Sequence, residues 1–261
     1  MAVQPKKHLG QHFLTDKNIC KKIADVLPIS DKKQKVLEIG PGTGALTDFL
    51  LEREDVELTV MEIDKESVDY LQENKPQLAG NIHFVDFLKT DIRSLFPTTE
   101  VTVIGNFPYN ISSQILFNCI EHVNQIPQII GMFQKEVAER VAEPPGTKAY
   151  GVLSVMMQTF YTIEYCFTVS EQVFNPPPKV KSGVIYCKRK EDFNLPISFE
   201  LYKKVIKSTF NQRRKTIRNG LKNWVNVDQI DHAFLSLRPE RLSVEDFIEL
   251  TKIVADHQRI G

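Results

Sequence analysis

Four residues, Asn106-Phe107-Pro108-Tyr109, follow the apolar run Val101-Thr102-Val103-Ile104 and Gly105. A β-branched run ending in Gly-Asn reads as a buried parallel strand that stops at its carboxyl end, where open α/β sheets bind their ligands. Asn106 offers a carboxamide oxygen, Phe107 is held extended before proline with its carbonyl available, Pro108 fixes the turn, and Tyr109 presents a flat ring. That set suits an exocyclic amine on a planar base, with two acceptors for its two N–H protons and a ring to stack on it. The amine nitrogen would then be oriented for attack on an electrophile. A strand-to-turn junction with a buried tyrosine has the same composition, so the remainder of the chain must decide between the two.

The elements before this run supply a candidate electrophile. Lys35–Ile39 is a predicted strand, and Gly40-Pro41-Gly42-Thr43-Gly44 turns it into a helix over Ala45–Arg53. Gly40, Gly42 and Gly44 let backbone approach a ligand closely at a helix N-terminus. The spacing departs from the dinucleotide fingerprint, and Glu38 just before the loop would repel a pyrophosphate while favouring a cation. S-adenosylmethionine carries a sulfonium and an ammonium and no phosphate, so it fits both facts. Glu62 ends the second strand, Glu57–Glu62, where an acidic residue can accept both hydroxyls of a ribose. Asp64 caps the helix Lys65–Asn74. A third strand, Asn81–Val85, ends in Asp86-Phe87, where a carboxylate can accept from an adenine amine and Phe87 adds backbone and apolar contact. Three consecutive strands ending in ligand groups point to an adenosine-containing cofactor.

Further strands at Ile126–Phe133, Thr162–Val169 and Gly183–Lys188, with helices at Ile111–His122 and Gly151–Phe160, complete a mainly parallel α/β sheet of about seven strands. Between the last two strands, Pro176, Pro177 and Pro178 stiffen a loop that presents Phe174, either as a stacking platform for a base or as a hydrophobic plug. From Leu195 the strand pattern gives way to helices at Phe199–Phe210, Arg214–Leu221, Val227–Leu237 and Ser243–His257, the last opening on the capping box Ser243-x-x-Asp246. Two domains are therefore expected, 1–193 and a smaller helical one over 194–261.

The 261 residues carry 33 basic and 33 acidic side chains, yet Leu201–Val225 holds Lys203, Lys204, Lys207, Arg213, Arg214, Lys215, Arg218 and Lys222 with no acidic residue. Such a local field can hold a polyanion whatever the total charge. Cys20, Cys119, Cys166 and Cys187 are widely spaced and read as reduced core residues, and the six histidines lack metal-ligand spacing, so no metal is expected. No run approaches the roughly 20 apolar residues of a membrane span, and Met1–Lys7 lacks a signal peptide's apolar stretch, so a cytoplasmic protein is expected.

Assembled, these residues resemble the ribosomal RNA adenine dimethyltransferase family, and within it the KsgA type, over nearly the whole chain. Lys7–Leu14 is similar to the family's N-terminal motif, with His12 where Asn is usual; Val36–Thr47, Glu62-Ile63, Asp86-Phe87, Asn106–Tyr109, Gln134–Val141 and Val173–Ser182 match its cofactor and target-base motifs in order. Phe107 stands where Leu or Ile is commoner. Phe210–Leu221 resembles the RNA-facing helix of the small-subunit enzyme.

The resemblance implies a Rossmann-like class I methyltransferase domain plus an RNA-binding helical domain. It implies a cofactor set of Gln11, His12, Leu14, Glu38, Gly40, Gly42, Gly44, Glu62, Ile63, Asp86, Phe87 and Asn106 and a catalytic set of Asn106, Phe107, Pro108, Tyr109 and Phe174. RNA contacts are expected at Arg213, Arg214, Lys215 and Arg218. The implied reaction is dimethylation of two adjacent adenines in the 3′-terminal hairpin loop of small-subunit RNA, by a monomer acting on that RNA or its pre-30S particle without a membrane. A large-subunit RNA methyltransferase and a non-catalytic RNA-binding assembly factor are the competing readings.

Overall fold

The structure, a computed structural model, describes residues 3–192, 194–212 and 214–259. After a 3₁₀ turn at Lys7–Leu9, strand β1 (Phe13–Leu14) leads to helix α1 (Lys17–Ala24), whose N-cap Asp16 accepts from the Asn18 and Ile19 amides. Strands and helices then alternate: β2 (Gln34–Ile39), α2 (Ala45–Leu51), β3 (Val56–Glu62), α3 (Lys65–Asn74), β4 (Ile82–Phe84), α4 (Ile92–Leu95), β5 (Thr102–Asn106) and α5 (Ser112–Glu121). Next come β6 (Gln128–Gln134), α6 (Lys135–Ala142), α7 (Val152–Phe160), β7 (Tyr161–Val169), β8 (Phe174–Asn175) and β9 (Ser182–Arg189). The chain finishes with α8 (Phe199–Phe210), α9 (Ile217–Leu221) and α10 (Val244–Ala255). Among the described residues no helix is long and apolar enough to cross a membrane.

Seven strands form one sheet in the order β4-β3-β2-β5-β6-β9-β7. Strands β4 to β6 pair in parallel, and β9 runs antiparallel to β6. The α/β architecture with a mainly parallel seven-stranded sheet is therefore as expected. Near-continuous apolar runs mark strands covered on both faces, and Val36, Leu37, Val103, Ile104, Ile129 and Ile130 are all fully buried. Each such side chain contributes about 1.5–3 kcal/mol on leaving water. Because β2 has β3 on one side and β5 on the other, the connections leaving β2 and β5 diverge, and a crevice opens at their carboxyl ends. A second, two-stranded sheet pairs β1 with β8 antiparallel, Leu14 opposite Phe174.

By compactness the chain divides into residues 1–139 with 162–189, and residues 140–161 with 190–261. The division departs from the expected boundary at 193/194, because α7 groups with the C-terminal helices. Its residues Leu153–Met157 and Phe160 are buried nearly all round, and its Thr159 hydroxyl lies 2.9 Å from that of Tyr202 on α8. A helix apolar on every side needs cover on every side, which alternation along the sequence does not reveal.

Within this second unit α8 matches its predicted span, and the capping box holds, Ser243 Oγ accepting from the Asp246 amide at 3.1 Å and Asp246 from Ser243 at 2.9 Å. The helix expected from Arg214 starts only at Ile217, and the one expected over 227–237 is instead two 3₁₀ turns, Val227–Gln229 and Ala233–Ser236. Cys20, Cys119 and Cys187 are buried and unbridged, whereas Cys166 is only half-buried.

Candidate active site

At the carboxyl ends of β2, β3 and β5 the chain forms an open cleft, the place where open α/β sheets bind their ligands. It is lined by Gln11, His12, Gly40, Gly42, Glu62, Ile63, Asp86, Phe87, Asn106, Phe107, Pro108 and Tyr109, all expected from the sequence. Leu9, Gly10, Phe13, Ile39, Met61, Val85 and Ile111 complete the wall without having been singled out. Most of these are apolar neighbours of the motif residues, and only their adjacency along the chain could have flagged them.

Glu62 organises the glycine loop. Its carboxylate is buried and accepts from three amides, Gly42 at 3.0 Å, Ile63 at 2.8 Å and Asp64 at 2.9 Å. Burial nevertheless pushes its carboxyl above the usual range. Gly42 has φ +57°, and a Cβ on it would lie 2.8 Å from the Phe13 ring, so the bare backbone makes room for the N-terminal arm. Gly40 has φ +65°, and a Cβ there would meet no protein atom within 4 Å. The loop thus faces open space beside a carboxylate that three amides hold in place, an arrangement that leaves remaining lone pairs for hydroxyl donors.

Other members of the predicted cofactor set lie behind this wall. Gly44 does not line the cleft; at φ +82° it caps α2, and a Cβ would press 3.0 Å from Lys75 Cε and 3.1 Å from Leu71. Leu14 is buried in the core beside Phe174. Glu38 is also buried and turns away from the cleft, accepting from the Thr47 hydroxyl at 2.7 Å, so it ties β2 to the first turn of α2 beneath the loop. Its expected direct electrostatic contact with a ligand is therefore replaced by a supporting one.

Burial first, and then the neighbouring Glu62, push the Glu38 carboxyl up to about 8. A carboxyl raised in the folded state favours the protonated fold, so its contribution is full below the unfolded value and is lost as pH rises through about 8. The melting temperature should accordingly fall between about pH 5 and pH 8.5, and Glu38→Gln should flatten that slope. A slope unchanged by Glu38→Gln in calorimetric melts would remove Glu38 as its source.

Asn106 closes β5 with its carboxamide Nδ2 donating to the main-chain carbonyl of His12 at 2.9 Å, which leaves the carboxamide oxygen as the acceptor. Phe107 is buried, its ring 5.1 Å from that of Phe133 and its amide bonded to the Met132 carbonyl at 3.2 Å, so the Pro108 turn is held from below. The Tyr109 hydroxyl bonds Ser182 Oγ at 2.5 Å, and its ring centroid lies 5.4 Å from that of His12. Asp86 ends the β4 segment and accepts from the Leu88 amide at 3.0 Å. Phe174 is corrected: it is 4% exposed, paired in β8 and packed into the core, so it takes the plug arrangement and presents no free ring. Ser182, a buried residue at the start of β9, and Asp64, which takes Lys6 Nζ at 2.5 Å and Gln11 Nε2 at 3.4 Å, were not expected to serve the cleft.

Of the basic residues in the second unit, Arg214 and Lys215 are exposed, and Arg218 is exposed but bonded to Asp228 at 3.0 Å and to the Val227 carbonyl at 3.1 Å. Arg213 lies outside the described residues. Lys204 lies 4.0 Å over the Trp224 ring.

Compared with known proteins, the sequence matches the family described as ribosomal RNA adenine dimethylase over residues 2–256. The chain belongs to the ribosomal RNA adenine dimethylase family. Among its relatives is the ribosomal RNA small subunit methyltransferase A of Flavobacterium johnsoniae, 54% identical over 256 residues and covering 97% of each chain. Among solved structures, a dimethyladenosine transferase from Plasmodium falciparum superposes with a TM-score of 0.77 at 26% identity, covering 95% of this chain and 100% of that one. The 23S rRNA methyltransferase ErmE superposes at 0.65 and 25% identity, covering 93% and 99%. The family's class I methyltransferase fold is thus the sheet and cleft described above.

Proposed function

We propose that this protein uses S-adenosylmethionine to dimethylate the N6 amines of two adjacent adenosines in the 3′-terminal hairpin loop of small-subunit ribosomal RNA, acting as a cytoplasmic monomer during subunit assembly. The observation that carries this reading is the orientation of Asn106. With its Nδ2 donating to the His12 carbonyl, its oxygen is the group left to receive an amine proton. The 54% identical small-subunit relative supports the choice of RNA.

The residues of the cleft fit the cofactor. Gly40 fronts open space, Glu62 is a buried acceptor beside it, and Asp86 stands at the end of the adjacent strand. Glu62 would hold the ribose, Asp86 the adenine amine, and Gly40 and Gly42 the backbone approach. When bound, the cofactor supplies a methyl group on a cationic sulfur. The chain's own contribution is to make a poor nucleophile usable, because an adenine amine delocalises its lone pair into the ring. Hydrogen bonds from its two N–H groups to Asn106 Oδ1 and the Phe107 carbonyl favour a pyramidal nitrogen with that lone pair directed, Tyr109 holds the plane of the base, and the methylated amine then loses one proton to water. Most of the acceleration is then orientation. Loop bases are the least costly to splay into such a pocket.

The exposed basic residues of the second unit support RNA binding there. Replacing Arg214 and Lys215 together with glutamine should weaken RNA binding and reduce the slope of log affinity against log salt by about 1.5–2. An unaltered slope would move the phosphate contacts elsewhere. The substrate is tested by supplying labelled S-adenosylmethionine with unmethylated small-subunit particles and, in parallel, large-subunit RNA. Label in the small-subunit RNA supports the reading. Label in the large-subunit RNA alone would replace it.

A further inference from the structure

Three bonds or contacts converge on one residue of the N-terminal arm. The main-chain carbonyl of His12 accepts from Asn106 Nδ2 at 2.9 Å, its ring packs 5.4 Å from the Tyr109 ring at an interplanar angle of 30°, and its Nδ1 lies 2.7 Å from the Pro176 carbonyl. A carbonyl can only accept, so Nδ1 carries the proton and donates. His12 also lines the cleft. Its neighbours along the chain are fixed independently. Gln11 reaches Asp64 at 3.4 Å, and Phe13 is paired with Asn175 in the two-stranded sheet while its ring packs on Gly42.

We propose that His12 is a positioning residue of the target-base site, setting the Asn106 carboxamide through its main chain and the Tyr109 ring through its side chain, with Pro176 as the anchor. The inference deepens the proposed adenine methylation and rests on it. Without the anchor, the His12 peptide keeps only the supports of Gln11 and Phe13, and its carbonyl, the partner that determines which end of the Asn106 amide faces the cleft, is placed less exactly. Without the ring, Tyr109 is held by its hydroxyl bond to Ser182 and keeps its tilt less well. Both consequences fall on the base, whereas the three amides bonded to Glu62 do not involve His12. The cofactor half of the cleft therefore keeps its own support.

The effect separates cleanly in kinetics. His12 was expected among the cofactor residues, but its carbonyl is taken by Asn106 and its Nδ1 by Pro176. His12→Ala should therefore lower single-turnover methyl transfer at saturating RNA and saturating S-adenosylmethionine at least tenfold, with the dissociation constant for the cofactor rising much less than the rate falls. His12→Asn retains an N–H donor for the Pro176 carbonyl and should recover most of the rate, whereas His12→Phe keeps a ring without the donor and should not. Cofactor affinity falling in step with rate in His12→Ala, or a rate equal to that of the unaltered protein, would each overturn the assignment. So would rescue by His12→Phe and not by His12→Asn. The unaltered protein is assayed on the same RNA: transfer by it with no effect of His12→Ala overturns only this inference, and absence of transfer by it overturns the proposed function itself. Thermal melts of the three variants identify any loss of fold, and His12→Asn then decides the question on a folded chain.

Discussion

Asn106→Ala should abolish methyl transfer, by about 10³-fold or more, while leaving cofactor affinity within about threefold. The loss has two sources acting on the same atom. The variant lacks the oxygen that receives one amine proton, and it releases the His12 carbonyl that holds the arm over the cleft. A thousandfold loss corresponds to about 4 kcal/mol of transition-state stabilisation, the range in which a lost orienting group falls. Asn106→Asp should fail as well, because a carboxylate accepts but cannot donate to that carbonyl. Single-turnover transfer and calorimetric titration with S-adenosylmethionine separate the two quantities. Parallel loss of both in Asn106→Ala would make Asn106 a structural residue of the strand end.

Glu62→Ala should act on the other half of the cleft, weakening cofactor binding about 100-fold and lowering the melting temperature. The carboxylate accepts from the Gly42, Ile63 and Asp64 amides, and its removal leaves three donors at a buried position without it. An unsatisfied buried donor costs about 1–3 kcal/mol, and water entering the space offsets part of that. Glu62→Gln separates the roles. It retains one oxygen, so much of the loop geometry should survive, but its amide end faces amide donors and cannot accept two ribose hydroxyls. Cofactor affinity unchanged in Glu62→Gln would take the ribose away from Glu62 and leave it as the support of the glycine loop.

Much of this organisation could be read locally. Helix α3 begins at Lys65 after the Asp64 cap, α8 spans Phe199–Phe210, and the Ser243–Asp246 box opens α10, all signals carried within a few residues. The strand ends at Glu62, Asp86 and Asn106 were also legible, because a parallel sheet presents the residues after its buried runs to one edge. What escaped depends on distance along the chain. The pairing of Leu14 with Phe174 joins residues far apart in sequence, and it converts a proline-stiffened loop into a place where Phe174 is buried. Prolines specify an extended backbone but do not specify which side of it meets the core.

Glu38 shows the same limit in electrostatic form. Its position before the glycine loop was evident, but the direction of its side chain is decided by Thr47, nine residues later on α2. A carboxyl that turns into the core supports the loop and does not line the cleft. In the second unit the residues over 227–237 carry apolar positions at helical spacing, yet they fold as two short 3₁₀ turns, since tertiary packing overrides a weak propensity. The basic stretch kept its exposed face at Arg214 and Lys215 even though α9 begins later than its pattern suggested.

The central claim, that the Asn106 to Tyr109 turn presents an adenine amine for repeated methyl transfer, is tested most directly by the product. Unmethylated small-subunit particles are incubated with this protein and S-adenosylmethionine, and the 3′-terminal RNA fragment is digested and examined by mass spectrometry. The account predicts two adjacent N6,N6-dimethyladenosines in the hairpin loop, absent with Asn106→Ala. An RNA fragment that is bound tightly but gains no methyl group, or one methylated at a position other than an adenine amine, would contradict it.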